Sequence, residues 1–66
     1  MKYNYPDAII KLRVKLNVSQ TELAKILEVS FSSINRWEKG KHSPTIIAKE
    51  KLRGLLKENN IELEEI

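Results

Sequence analysis

Apolar positions recur along this chain at helical spacing almost throughout. Ile9, Leu12 and Leu16 form one stripe, Leu23, Ala24 and Leu27 a second, Ile34 and Trp37 a third, and Ile47, Leu52, Leu55 and Leu56 a fourth. Strand signals are poor, because threonine stands only at Thr21 and Thr45 and strict alternation is confined to Ile61-Glu62-Leu63-Glu64. Each stripe also has a start signal. Asn4 is placed to cap a first helix, with Pro6 in its first turn and Asp7 complementing the helix dipole. Ser19-Gln20-Thr21-Glu22 is a capping box, in which the Ser19 oxygen takes the Glu22 amide and the Glu22 side chain reaches back. Ser30 caps the segment Phe31 to Lys39, and Gly40 closes it as a residue that tolerates positive φ. Ser43-Pro44 reads as the cap and first position of a last helix, in which Gly54 permits a kink or close packing.

Only Glu28-Val29-Ser30 separates the second helix from the third. So short a connection forces a steep crossing, and two short helices crossing steeply around a tight turn form a helix-turn-helix. The pattern predicts an all-α fold, with one domain over 1–58 and a short acidic tail over 59–66.

Composition narrows the function. At 66 residues without cysteine, the chain is near the lower limit for a single hydrophobic core and has no disulfide to help it. Its apolar runs are pairs such as Ile9-Ile10 and Leu55-Leu56, so neither a membrane span nor a signal peptide is expected, and the chain reads as cytoplasmic. Glu58, Glu62, Glu64 and Glu65 are the only charged residues of 58–66, so residues 1–57 carry +7 against +3 for the whole chain. A small basic domain of this kind suits a polyanionic partner.

The spacing of these residues is itself distinctive. Val18-Ser19-Gln20-Thr21-Glu22-Leu23-Ala24, Leu27-Glu28-Val29-Ser30, Ile34-Asn35-Arg36-Trp37-Glu38-Lys39-Gly40-Lys41 and Pro44 resemble the Cro/phage-repressor type of helix-turn-helix transcription regulator, the XRE family. The match runs from about Ile9 to Leu56 without a gap. It implies a lambda-repressor-like bundle of four or five helices, sequence-specific binding to double-stranded DNA, and a homodimer on a palindromic operator. One departure stands out: the turn position that is often glycine in the family is Glu28 here. A non-glycine residue in left-handed geometry carries strain of about 1 kcal/mol.

In such a fold the third helix enters the major groove, where its N-terminal residues meet base edges. By resemblance, Phe31, Ser32 and Arg36 hold the base-reading positions. Arg36 suits guanine, whose O6 and N7 a guanidinium bonds together, and Phe31 suits a thymine methyl; the plainer role for Phe31 is a core or staple aromatic. Gln20, at the start of the second helix, is expected on a phosphate together with Ser19, Asn35, Lys39, Lys41 and His42. The family also pairs an arginine of the first helix with the glutamate after the tryptophan, so Arg13 and Glu38 are expected to form a structural ion pair. Ile10 and Val14 lie off the first helix's core stripe, and Ile61, Leu63 and Ile66 of the tail are similarly uncommitted. Either the tail folds over the first helix or these patches meet a second subunit, the preferred reading being dimerisation through the last helix and tail.

An enzyme is disfavoured by inventory: one histidine, no cysteine, and neither a P-loop nor a His-Glu-x-x-His motif. No metal site or cofactor is expected. The competing reading is a helix-turn-helix used for protein binding, such as an antitoxin or the partner module of a regulator. The lysine-, isoleucine- and asparagine-rich composition points to an A/T-rich bacterial or phage source.

Overall fold

In the computed structural model, which describes residues 2–66, four helices account for most of the chain. They are α1 (Tyr5–Leu16), α2 (Gln20–Leu27), α3 (Phe31–Glu38) and α4 (Ile46–Glu58). Among the described residues there is no strand, only an isolated antiparallel bridge between Tyr3 and Glu65. α3 packs against α1 and α2, and α4 closes the other side against the same two helices. The core at their junction is built from Ile9 and Leu12 of α1, Leu23, Ala24 and Leu27 of α2, Ile34 and Trp37 of α3, and Ala48, Leu52 and Leu56 of α4. Tyr5 and Ala8 are buried with them, respectively two turns and one turn before Leu12 on the same face. Leu16 is only half-buried, packed against the edge of this cluster.

The helix starts follow from local hydrogen bonding. Asn4 Oδ1 accepts the Asp7 amide at 3.2 Å. Ser19 Oγ accepts the Glu22 amide at 3.1 Å while Glu22 Oε1 accepts the Ser19 amide at 2.9 Å, completing the capping box. Ser30 Oγ accepts the Ser33 amide at 3.1 Å.

The ends share one device. After each helix a single residue turns left-handed: Asn17 (φ 57°), Glu28 (φ 59°), Gly40 (φ 74°) and Asn60 (φ 57°). Its own amide and that of the next residue then donate back to carbonyls of the last turn. The longer of these bonds runs from Val18 to Arg13, Val29 to Ala24, Lys41 to Arg36 and Ile61 to Leu56, which is the Schellman arrangement. Three of the four closing residues, Val18, Val29 and Ile61, are apolar and pack on the core. The fourth, Lys41, is exposed at the end of α3.

Three expectations for the last helix are corrected. Its cap is Thr45, whose Oγ1 accepts the Ala48 amide at 3.3 Å, and not Ser43; Pro44 is buried ahead of the helix and is not its first position. The inward stripe accordingly runs Ala48, Leu52, Leu56, with Leu55 half-buried, and leaves Ile47 69% exposed. Gly54 serves neither a kink nor close packing, since α4 is continuous through it and a Cβ there meets nothing within 4 Å.

The tail folds back on its own domain. Asn4 donates its amide to Glu64 O at 2.8 Å, and Ile66 donates to Lys2 O at 2.9 Å. The alternation of the sequence is used in full: Ile61 and Leu63 lie half-buried against the core while Glu62 and Glu64 face water.

Candidate nucleic-acid interface

α3 divides sharply into two faces. Ile34 and Trp37 lock it into the core, whereas Phe31, Ser32, Arg36 and Lys39 are exposed. Phe31 is 49% accessible, so it is not a core aromatic. The Ser30 hydroxyl is also 3.0 Å from that of Ser33, which tightens the first turn of the helix from which these side chains project.

Behind that face runs a chain of polar contacts. Arg13 donates through Nε to Glu38 Oε2 at 2.6 Å and through a terminal nitrogen to Oε1 at 2.9 Å. Gln20 donates Nε2–H to the same Oε1 at 2.9 Å, and Asn35 donates Nδ2–H to Gln20 Oε1 at 3.3 Å. Because a carboxylate only accepts, it dictates both amide orientations: Gln20 must turn its nitrogen to Glu38 and its oxygen to Asn35. Asn35 keeps Oδ1 and its second N–H for a ligand, and Gln20 keeps its second N–H. The expected pair Arg13–Glu38 is therefore present, and it is the root of a network that reaches two of the expected phosphate contacts.

The charges follow this geometry. The Glu38 side chain is 8% exposed, and that desolvation pushes its pKa up. Hydrogen bonds from Arg13 and Gln20, together with the Arg13 charge, outweigh it and hold the carboxyl below the usual range. Arg13 is raised chiefly by its hydrogen bond to Glu38, against its own desolvation.

At the start of α2 the Ser19 amide, then its hydroxyl, holds Glu22 below its ordinary value, so a negative charge sits at this helix end. The amides of Gln20 and Thr21, in the first turn, remain outside the helical ladder. Thr21 is exposed beside them and adds a hydroxyl that the sequence reading passed over; its signal is a hydroxyl residue directly after the cap and first position. Lys39, Lys41 and His42 are exposed where α3 ends and the linker begins. Gly40 allows that exit through its φ of 74°.

The remaining candidates are not brought together. Val14 is 76% exposed and Ile10 also open on α1, while Ile61 and Leu63 are half-buried against the core of the same chain and only Ile66 of the tail is fully exposed.

With this geometry, comparison with known proteins is decisive at the level of family. A family model described as helix-turn-helix matches residues 9–66. The chain belongs to that family, in its Cro/phage-repressor (XRE) type. This XRE-type chain is thus a DNA-binding helix-turn-helix regulator built on a small all-α bundle. No curated protein and no solved structure gives a significant match to it. Among the described residues no helix is long and apolar enough to cross a membrane.

Proposed function

We propose that the protein is a repressor that binds a palindromic operator as a homodimer, with α3 of each subunit in successive major grooves about 34 Å apart. Phe31, Ser32 and Arg36 meet base edges. Ser19, Gln20, Asn35, Lys39, Lys41 and His42 hold phosphates, and the bound dimer excludes polymerase by occupancy. The observation that carries this reading is the division of α3: Ile34 and Trp37 fix the helix rigidly while Phe31, Ser32 and Arg36 stand free on its outer face.

Dimerisation rests on the apolar surface left over. Ile10 and Val14 on α1 and Ile46 and Ile47 at the start of α4 are exposed. Ile61 and Leu63 offer less, being half-spent on their own core. A stable interface needs about 800 Å2 from each partner, more than these four side chains supply, so the dimer forms on DNA. Sedimentation is expected to show a monomer alone and two chains per operator duplex. One chain per duplex at saturation removes the dimer from the account.

The exposed Ile10–Val14 face also favours the second reading, a helix-turn-helix that binds a protein. Salt separates the two. Lys39 and Lys41 of both subunits neutralise four phosphates, which gives a slope of about −3.6 in log affinity against log salt. Duplex binding that is flat with salt would shift the balance to the protein partner.

A further inference from the structure

Beside Gly40, between the N-terminal segment, the linker and the start of α4, lies a half-open groove of about 390 Å3. Lys2, Tyr3, Tyr5 and Pro6 of the N-terminal segment, His42 and Ser43 of the linker, and Lys49 of α4 contribute to its walls. That volume falls within the range of small-ligand sites, about 300–1,000 Å3. Two lysines and the only histidine line it, and no carboxylate side chain does.

Two of the neighbouring acids are engaged with Lys11, while Glu65, bridged to Tyr3, and Glu50, next to Lys49, do not line the groove. Asp7 pairs with Lys11 at 3.0 Å, and Glu64 lies 3.9 Å from the same ammonium. Among the described residues, Lys2, His42 and Lys49 have no ion-pair partner. Ile66 also lines the groove; an α-carboxylate there would subtract one charge and leave the lysines in excess, so the sign of the groove does not depend on it. Its aromatic wall is fixed: Tyr3 and Tyr5 meet edge to face at 6.4 Å, and the Lys49 ammonium sits 5.5 Å from the Tyr5 ring centroid.

We propose that this groove is a phosphate-binding site. Lys2 and Lys49 supply charge, His42 and the Ser43 hydroxyl supply hydrogen bonds, and the half-buried Tyr3 ring receives the sugar or base attached to the phosphate. Two sources carry that chemistry: a free nucleotide or polyphosphate, and the DNA backbone running past the linker. Because the groove shares His42 with the expected phosphate contacts, a free anion held there competes with duplex.

The site stands apart from operator reading, since Arg36 is not part of it. The test uses the 66-residue chain, Lys2→Gln and Lys49→Gln, and Lys57→Gln as a charge-matched control outside the groove. Inorganic pyrophosphate, titrated against amide resonances, is expected to shift Gly40, His42 and Ser43 saturably. Either groove variant then weakens binding at least fivefold, while the control stays within twofold; this outcome assigns a free anion. If pyrophosphate does not saturate, but either groove variant lowers the salt slope for a non-specific duplex by about 0.9 per subunit and the control does not, the DNA backbone is the source. Equal effects of all three variants in both arms, or no effect in either, overturns the proposal.

Discussion

Glu28 and Gly54 show opposite uses of the same degree of freedom. Glu28 closes α2 with φ 59° and ψ 44°, a conformation that costs a non-glycine residue about 1 kcal/mol. Its carboxylate, 2.8 Å from Lys51 but 77% exposed, returns little of that. Glu28→Gly is therefore expected to raise the melting temperature by a few degrees, and a fall would show that the Lys51 contact outweighs the backbone strain. Gly54 lies inside a continuous helix with open space where a Cβ would go. Gly54→Ala should add about 1 kcal/mol, or about 4–8 °C in a domain of this size; thermal unfolding decides it, and no gain would mean that the glycine relieves a contact unseen in the monomer. The Glu28 geometry was legible by family likeness, because the turn position it fills is often glycine in the family. The left-handed Asn17 and Asn60 were not, since asparagine suits caps, turns and solvent alike.

At the scale of elements, the network from Arg13 to Asn35 ties α1, α2 and α3 together behind the exposed face of α3. Removing one partner of a fully buried ion pair costs about 3–5 kcal/mol. With the Arg13 side chain 26% exposed, the lower end applies to Arg13→Ala. A 66-residue domain has roughly 3–10 kcal/mol in total, so calorimetry should find Arg13→Ala marginally folded or unfolded. A mutant that stays as stable but loses DNA affinity would move Arg13 from scaffold to interface.

Acid acts on the same link. The Glu38 pKa is lowered from 4.5 on folding, so its contribution is fully present above that value and is lost as pH falls through the lower, folded value. Stability should be level near neutrality and decline below about pH 4.5, and Glu38→Gln, though less stable, should decline less steeply. An equally steep decline in the variant would assign the acid sensitivity to other carboxylates.

The pair itself was legible by family likeness. Its extension through Gln20 to Asn35 was not, because side chains 15 and 18 residues apart meet only once the turn angle is set. The start of α4 was misjudged for a related reason. Ser43 and Thr45 are both competent caps, and only the burial of Pro44 and the packing of small Ala48, in preference to larger Ile47, choose between them.

Across the whole molecule, the plan is a small core with one rigid helix turned outward. The N- and C-terminal segments are joined by the Tyr3–Glu65 bridge, and the strand-like alternation of 61–64 finds its use there. The core and the outward face of α3 were both visible in the sequence because each rests on helical periodicity between local caps. What covers Ile10, Val14, Ile46 and Ile47 was not, since an apolar side chain does not record whether its neighbour belongs to the same chain.

Binding selection from a random duplex library at about 150 mM salt, with the wild-type chain and Arg36→Ala in parallel, tests the central claim most directly. Wild type should enrich an inverted repeat. Arg36→Ala should relax one guanine in each half-site, with a loss of about 1–3 kcal/mol per contact. Enrichment of nothing by the folded wild-type chain, or of the same unrelaxed repeat by both, would contradict an account in which α3 reads the operator through Arg36.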